Sequence, residues 1–93
     1  MLLEAFKEQI KDILNKYPIS KAAVFGSFAR GEENRSSDID LLIETSKPIS
    51  MFAILRIERE LGIIMNRKID IVEYSAIKRS IKQNILSEAI PII

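Results

Sequence analysis

The sequence predicts an α/β or α+β sandwich, and two observations carry that reading. Apolar residues recur at helical spacing in three segments, and three short apolar runs bounded by turn residues lie between them. The order is helix, strand, a short helical turn, strand, helix, strand, helix. Three strands with helices between them bury their apolar faces as packed layers. The chain has 93 residues without repeat, linker or low-complexity stretch, so one domain over residues 1–93 is expected.

Leu2, Leu3, Phe6, Ile10, Ile13, Leu14 and Tyr17 fall three and four apart, opposite Lys7, Glu8, Lys11 and Asp12. This predicts an amphipathic helix over about residues 2–16, with Pro18 just past its end. Lys21-Ala22-Ala23-Val24-Phe25 reads as a buried strand ending in a tight turn at Gly26-Ser27. Residues 27–31 then read as about one helical turn, with Ser27 near the N-cap and Gly31 as its stop. Residues 32–37 form a polar loop, and residues 38–44 a second strand.

Ser50 can cap a long helix whose stripe is Met51, Ile54, Ile57 and Leu61, broadened by Phe52 and Leu55. Arg56, Glu58, Arg59 and Glu60 are expected to face water. The helix stops at Gly62 or continues to Asn66; the pattern allows both. Residues 68–73 alternate as a third strand, with Ile69 and Ile71 on one face and Asp70 and Val72 on the other. Ser75 is expected to open a last helix, with Ile77, Ile81, Ile85 and Ala89 inward and Pro91 as its stop. Met1, Pro91, Ile92 and Ile93 give the chain apolar termini, which hint at a partner surface.

Composition restricts the chemistry. Fourteen Lys and Arg against thirteen Asp and Glu give a net charge of +1, so no basic stripe for DNA is expected. No apolar run approaches the roughly 20 residues of a membrane span, and the N-terminus carries acids, so a soluble cytoplasmic protein is expected. There is no Cys, hence no thiolate nucleophile and no disulfide. There is no His either, which removes imidazole catalysis and most zinc sites. What remains is carboxylates, hydroxyls, Lys, Arg, backbone amides and a hard metal ion.

Asp38 and Asp40 stand two apart on a predicted strand, so both carboxylates share one face, about 7 Å apart at Cα. Acids on an apolar strand are costly unless neutralised, and Mg²⁺ would do this while also binding substrate phosphates. Two such carboxylates can hold two ions in the arrangement used for in-line phosphoryl displacement. Asp70 repeats the pattern inside Ile69-Asp70-Ile71-Val72. Beside the Asp38–Asp40 strand it would complete a triad and could take a proton from an attacking hydroxyl. Taken singly, Asp70 also suits a structural salt bridge. Gly26 would let the backbone approach a phosphate, Ser27 could hydrogen-bond it, and Arg30 could reach phosphate or the carboxylates. No Gly-Lys-Ser/Thr follows, so this is not a Walker A loop.

Gly26-Ser27, ten intervening residues, then Asp38-Ile39-Asp40 resembles the signature of the DNA polymerase β-like nucleotidyltransferase superfamily. The fuller string Gly26-Ser27-Phe28-Ala29-Arg30-Gly31, with Ser37-Asp38-Ile39-Asp40-Leu41-Leu42-Ile43 and Ile69-Asp70-Ile71-Val72, resembles its minimal branch, the MNT proteins. The likeness spans about residues 20–91. One departure is that four residues, 63–66, are extra before Arg67-Lys68. The resemblance implies a small mixed sheet of at least three strands packed with helices. It implies transfer of a nucleoside monophosphate from an NTP to a hydroxyl, with ATP as substrate. Asp38, Asp40 and Asp70 would be catalytic residues and hold Mg²⁺, with two ions, and Gly26, Ser27 and Arg30 would hold the nucleotide. Minimal members commonly pair with a HEPN ribonuclease toxin, act as its antitoxin and AMPylate it on a tyrosine, so that partner is expected here, in a homo- or hetero-oligomer. Two alternatives are an idle antitoxin acting by contact and transfer to a small molecule. The short chain leaves little surface for an acceptor pocket, which favours a partner that brings its own hydroxyl.

Overall fold

The computed structural model describes residues 2–26, 29 and 38–93. Helix α1 (Leu2–Leu14) leads into β1 (Ile19–Phe25), followed by β2 (Ile39–Thr45), α2 (Met51–Met65) and β3 (Ile69–Glu73). A 3₁₀ turn at Tyr74–Ala76, helix α3 (Arg79–Glu88) and a short β4 (Ile90–Pro91) complete the described chain. The strands form one mixed sheet in the order β3-β2-β1-β4. β1 is antiparallel to β2 and β4, while β2 and β3 are parallel and joined through α2. Parallel neighbours need a crossover of this kind, so α2 is what allows β3 to lie beside β2.

Alternation sorts the strands into two faces. Ala22 and Val24, then Ile39, Leu41 and Ile43, then Ile69 pack into the main core with Ile10, Ile13 and Leu14 of α1 and Ile57, Leu61 and Met65 of α2. Ala23, Leu42 and the carboxylates point to the other face by the same alternation. There Leu86 and Ala89, at the end of α3, border a cavity with Ala23 and Leu42. α1 and α2 are tied by Glu60, which accepts Lys16 Nζ at 3.0 Å and Tyr17 OH at 3.1 Å. Glu60 was expected to face water but serves as this latch. The Lys16 hydrogen bond holds the Glu60 carboxyl below its ordinary pKa. Burial, then the bond and charge of Glu60, raises the Tyr17 phenol.

Ser50 Oγ accepts the Ala53 N–H at 3.1 Å and caps α2, as its position predicts. Gly62 does not end the helix. Residues 63–65 continue it to Asn66, which adopts the left-handed conformation (φ 53°, ψ 43°) while the Arg67 N–H returns to the Gly62 carbonyl at 3.3 Å. This is a Schellman-type close. A Cβ on Gly62 would lie 3.1 Å from the Arg67 carbonyl oxygen, so glycine there lets the chain fold back tightly. The four extra residues therefore amount to about one more helical turn.

Three other expectations change. Ser75 opens no helix but lies inside the 3₁₀ turn that starts at Tyr74, because Ile77 and Lys78 are extended; Ile77 is buried separately and the helix starts only at Arg79. Ile81, expected inward, is 46% exposed, and no residue of α3 is fully buried. Pro91 does more than stop the helix. It belongs to β4, at an edge where proline's missing N–H is tolerated. Ile92 donates its N–H to the Ala22 carbonyl at 2.8 Å and is buried in the core instead of forming a partner surface.

Candidate active site

β2 and β3 run side by side in register, and Asp40 stands opposite Asp70. Both are half-buried and project from the face away from the main core. Their placement follows from their neighbours. Ile39 and Leu41 anchor β2 in the core and Ile69 anchors β3, so the acids between them must turn outward. The Ile39 N–H bonds the Lys68 carbonyl at 2.9 Å and zips the strands together at the carboxylate end. On the open side of β3, Glu58 Oε2 accepts the Ile71 N–H at 3.0 Å. Sequence reading missed Glu58, expecting it in water. Its signal is spacing: it lies four residues after buried Ile54 and flanks the inward stripe.

Phe25 pairs with Asp40 across β1 and β2, so Gly26, the next residue, lies against the Asp40 carboxylate. Gly26 has φ +77°, and a Cβ built there would collide with Asp40 Oδ2. Only glycine suits both the conformation and the approach. Ser27 and Arg30, with the rest of the helical turn expected over 27–31 except Ala29, lie outside the described residues. Asp38 is exposed and immediately precedes β2, which starts one residue later than expected. Lys68 Nζ lies 3.9 Å from Asp70 Oδ1, but Lys68 is exposed and Asp70 only half-buried, so this pair holds Asp70 weakly.

Among the described residues no group of three or more Asp, Glu, His or Cys converges to hold a metal ion. The Asp40–Asp70 pair nonetheless suits a hard divalent cation. Adjacent carboxylates supply the oxygen ligands such ions prefer, and the missing Cβ at Gly26 lets the backbone pack directly against one of them.

A mixed sheet with neighbouring carboxylates beneath a glycine turn is the arrangement of a nucleotidyltransferase. The family described as "Polymerase beta, Nucleotidyltransferase" matches residues 8–93, and the chain belongs to it. MJ0435 of Methanocaldococcus jannaschii, described as a candidate protein adenylyltransferase, is 33% identical over 93 residues, the full length of both chains. A solved candidate minimal nucleotidyltransferase superposes with a TM-score of 0.85 at 29% identity, covering 97% of this chain and 92% of that one. The fold is also that of a chain in the solved complex of a tri-AMPylated Shewanella oneidensis HEPN toxin with its MNT antitoxin. That match has a TM-score of 0.75 at 14% identity, covering 97% of this chain and 71% of the other. No helix among the described residues is long and apolar enough to cross a membrane.

Proposed function

We propose that this nucleotidyltransferase transfers AMP from ATP to a hydroxyl of a partner protein, a tyrosine of a HEPN-type toxin, and so acts as its antitoxin. The observation that carries the reading is the Asp40–Asp70 pair, with Gly26 packed against Asp40. Asp38, Asp40 and Asp70 would hold Mg²⁺. The bound ions would neutralise the carboxylates and draw charge from the reacting phosphate. The turn at Gly26, with Ser27 and Arg30, would hold the phosphates of ATP. The acceptor oxygen attacks the α-phosphorus, a new P–O bond forms, and the bond to pyrophosphate breaks. Pyrophosphate leaves with that electron pair, and the hydroxyl proton passes to the Asp70 carboxylate.

A protein acceptor is supported by α2. Its water-facing side exposes Phe52 (79%) and Ile63 (73%), with Met51 and Leu55, between Arg56 and Arg59. Glu58 and Glu60 are meanwhile occupied by bonds within the chain. An apolar face carrying only cations suits an acidic, apolar protein surface. The names of the relatives, a candidate protein adenylyltransferase and an antitoxin complexed with its AMPylated toxin, agree with this reading. The test is incubation with labelled ATP, Mg²⁺ and the neighbouring gene product, followed by mass spectrometry of both proteins. AMP on a partner tyrosine supports the proposal; no label on the partner contradicts it.

A further inference from the structure

Helix α2 carries two stripes on opposite sides. Ile54, Ile57, Leu61 and Met65 are buried and face the sheet. Leu55, Arg56, Arg59 and Ile63 follow Phe52 by three, four, seven and eleven positions, and these five form the other stripe. All five are exposed, and Phe52 and Ile63 are the two most exposed large apolar side chains described. The stripe makes a continuous ridge about 17 Å long. α2 has four charged side chains. Glu58 and Glu60 are bonded within the chain, so Arg56 and Arg59 set the charge of the ridge.

The ridge lies behind the sheet. α2 packs on the core face, whereas Asp40 and Asp70 project from the other. The thickness of the helix and of the sheet layer puts at least about 15 Å between the ridge and the carboxylates. Asp70 stands on the edge strand β3, and Glu58 reaches that edge to accept the Ile71 N–H. The shortest path from the ridge to the carboxylates therefore runs around β3.

We infer that this ridge anchors an acidic amphipathic helix of the partner, and that the acceptor hydroxyl arrives on a different segment, around the β3 edge. The delivery of the hydroxyl rests on the nucleotidyl-transfer reading; the anchoring does not. A helix face has no spare row of N–H and C=O groups for strand addition, so recognition runs through side chains. Another helix meets the ridge by packing apolar residues against Phe52, Leu55 and Ile63 and acids against Arg56 and Arg59. A second copy of this chain fits poorly, because a two-fold axis would bring the arginines of both ridges together. A linking stretch of at least about five extended residues must join the docked helix to the acceptor.

The experiment measures, by calorimetry, binding of the neighbouring gene product to the wild type, Phe52→Asp, Arg59→Glu and Asp40→Asn. Melting temperatures check that each variant folds. The two α2 variants should bind the partner about tenfold or more weaker, and Asp40→Asn within about twofold of wild type. Affinity of the α2 variants for MgATP should stay within about twofold of wild type. In transfer assays their KM for the partner should rise about tenfold, with kcat near wild type. Hydrogen exchange on the partner should protect a helix that carries Asp or Glu, with the modified tyrosine outside it. Wild type that does not bind the partner, unchanged partner affinity in both α2 variants, or a fall in kcat without a change in KM overturns the anchoring site. A modified tyrosine inside the protected helix overturns the separate delivery. Wild type that binds the partner through α2 yet transfers no AMP overturns the nucleotidyl-transfer reading and leaves the anchor standing.

Discussion

Asp40 and Asp70 face each other across parallel strands that share no sequence neighbourhood: thirty positions apart in the chain, they are partners in the sheet. Two like charges directly opposite destabilise a strand pair, so this pair weakens the folded chain unless a cation offsets it. Asp70→Asn should therefore raise or preserve the melting temperature. If Asp70 takes the acceptor proton, transfer should fall by about 10²–10⁴-fold with ATP affinity little changed. A melting temperature that falls while turnover per folded molecule stays normal would make Asp70 structural. Parallel measurements of rate, ATP affinity and thermal stability on this variant decide the matter.

Gly26→Ala tests the turn. A methyl group there must leave the favoured backbone region and displace the Asp40 carboxylate. The variant should lose about 1–3 kcal/mol of stability, visible as a drop of several degrees in melting temperature, and transfer should fall further than folding alone explains. Normal stability and normal transfer would show that the turn does not press on Asp40.

Glu58 positions the strand that carries Asp70. Glu58→Ala leaves the Ile71 N–H without its acceptor, at a cost of about 1.5–3 kcal/mol. Exchange of the Ile71 amide hydrogen should accelerate in this variant and slow again in Glu58→Gln, which keeps an acceptor oxygen. Equal exchange in all three proteins would remove Glu58 from this role.

The Lys16–Glu60–Tyr17 latch gives a pH dependence with a defined sign. Glu60 titrates below its ordinary value of 4.5 in the folded chain, so the unfolded chain binds more protons as pH falls through that range. The latch's contribution is present above about pH 4.5 and is lost as pH falls through the lowered folded pKa. Tyr17, raised from 10.0, contributes below about pH 10 and loses its contribution as pH rises through its folded pKa. Melting curves of wild type and Glu60→Gln should converge in acid and separate near neutrality. A constant gap across pH 3–7 would show that the latch contributes nothing that titrates.

Much of the fold was legible because periodicity and burial agree. The stripes of α1 and α2 and the alternation of Ile39, Leu41 and Ile43 define the core that the structure contains. Asp70 was legible as an acid inside an apolar strand, but its partnership with Asp40 depends on the parallel register, which only α2's full length sets. The residues that misled were those whose neighbours come from afar. Glu58 and Glu60 read as solvent-facing because their partners are an edge-strand amide and the end of α1. β4 went unread because two residues carry no period, and α3 was misjudged because extended Ile77 and Lys78 interrupt a stripe that looks continuous.

The central claim is that Asp40 and Asp70 form part of a site that moves AMP onto a partner protein. The most direct measurement is the intact mass of the neighbouring gene product after incubation with this protein, ATP and Mg²⁺, beside a reaction containing Asp40→Asn. The expected result is a partner heavier by one or more AMP units, with the label on tyrosine, and an unmodified partner with the variant. An unmodified partner in both reactions, or equal modification in both, would contradict it.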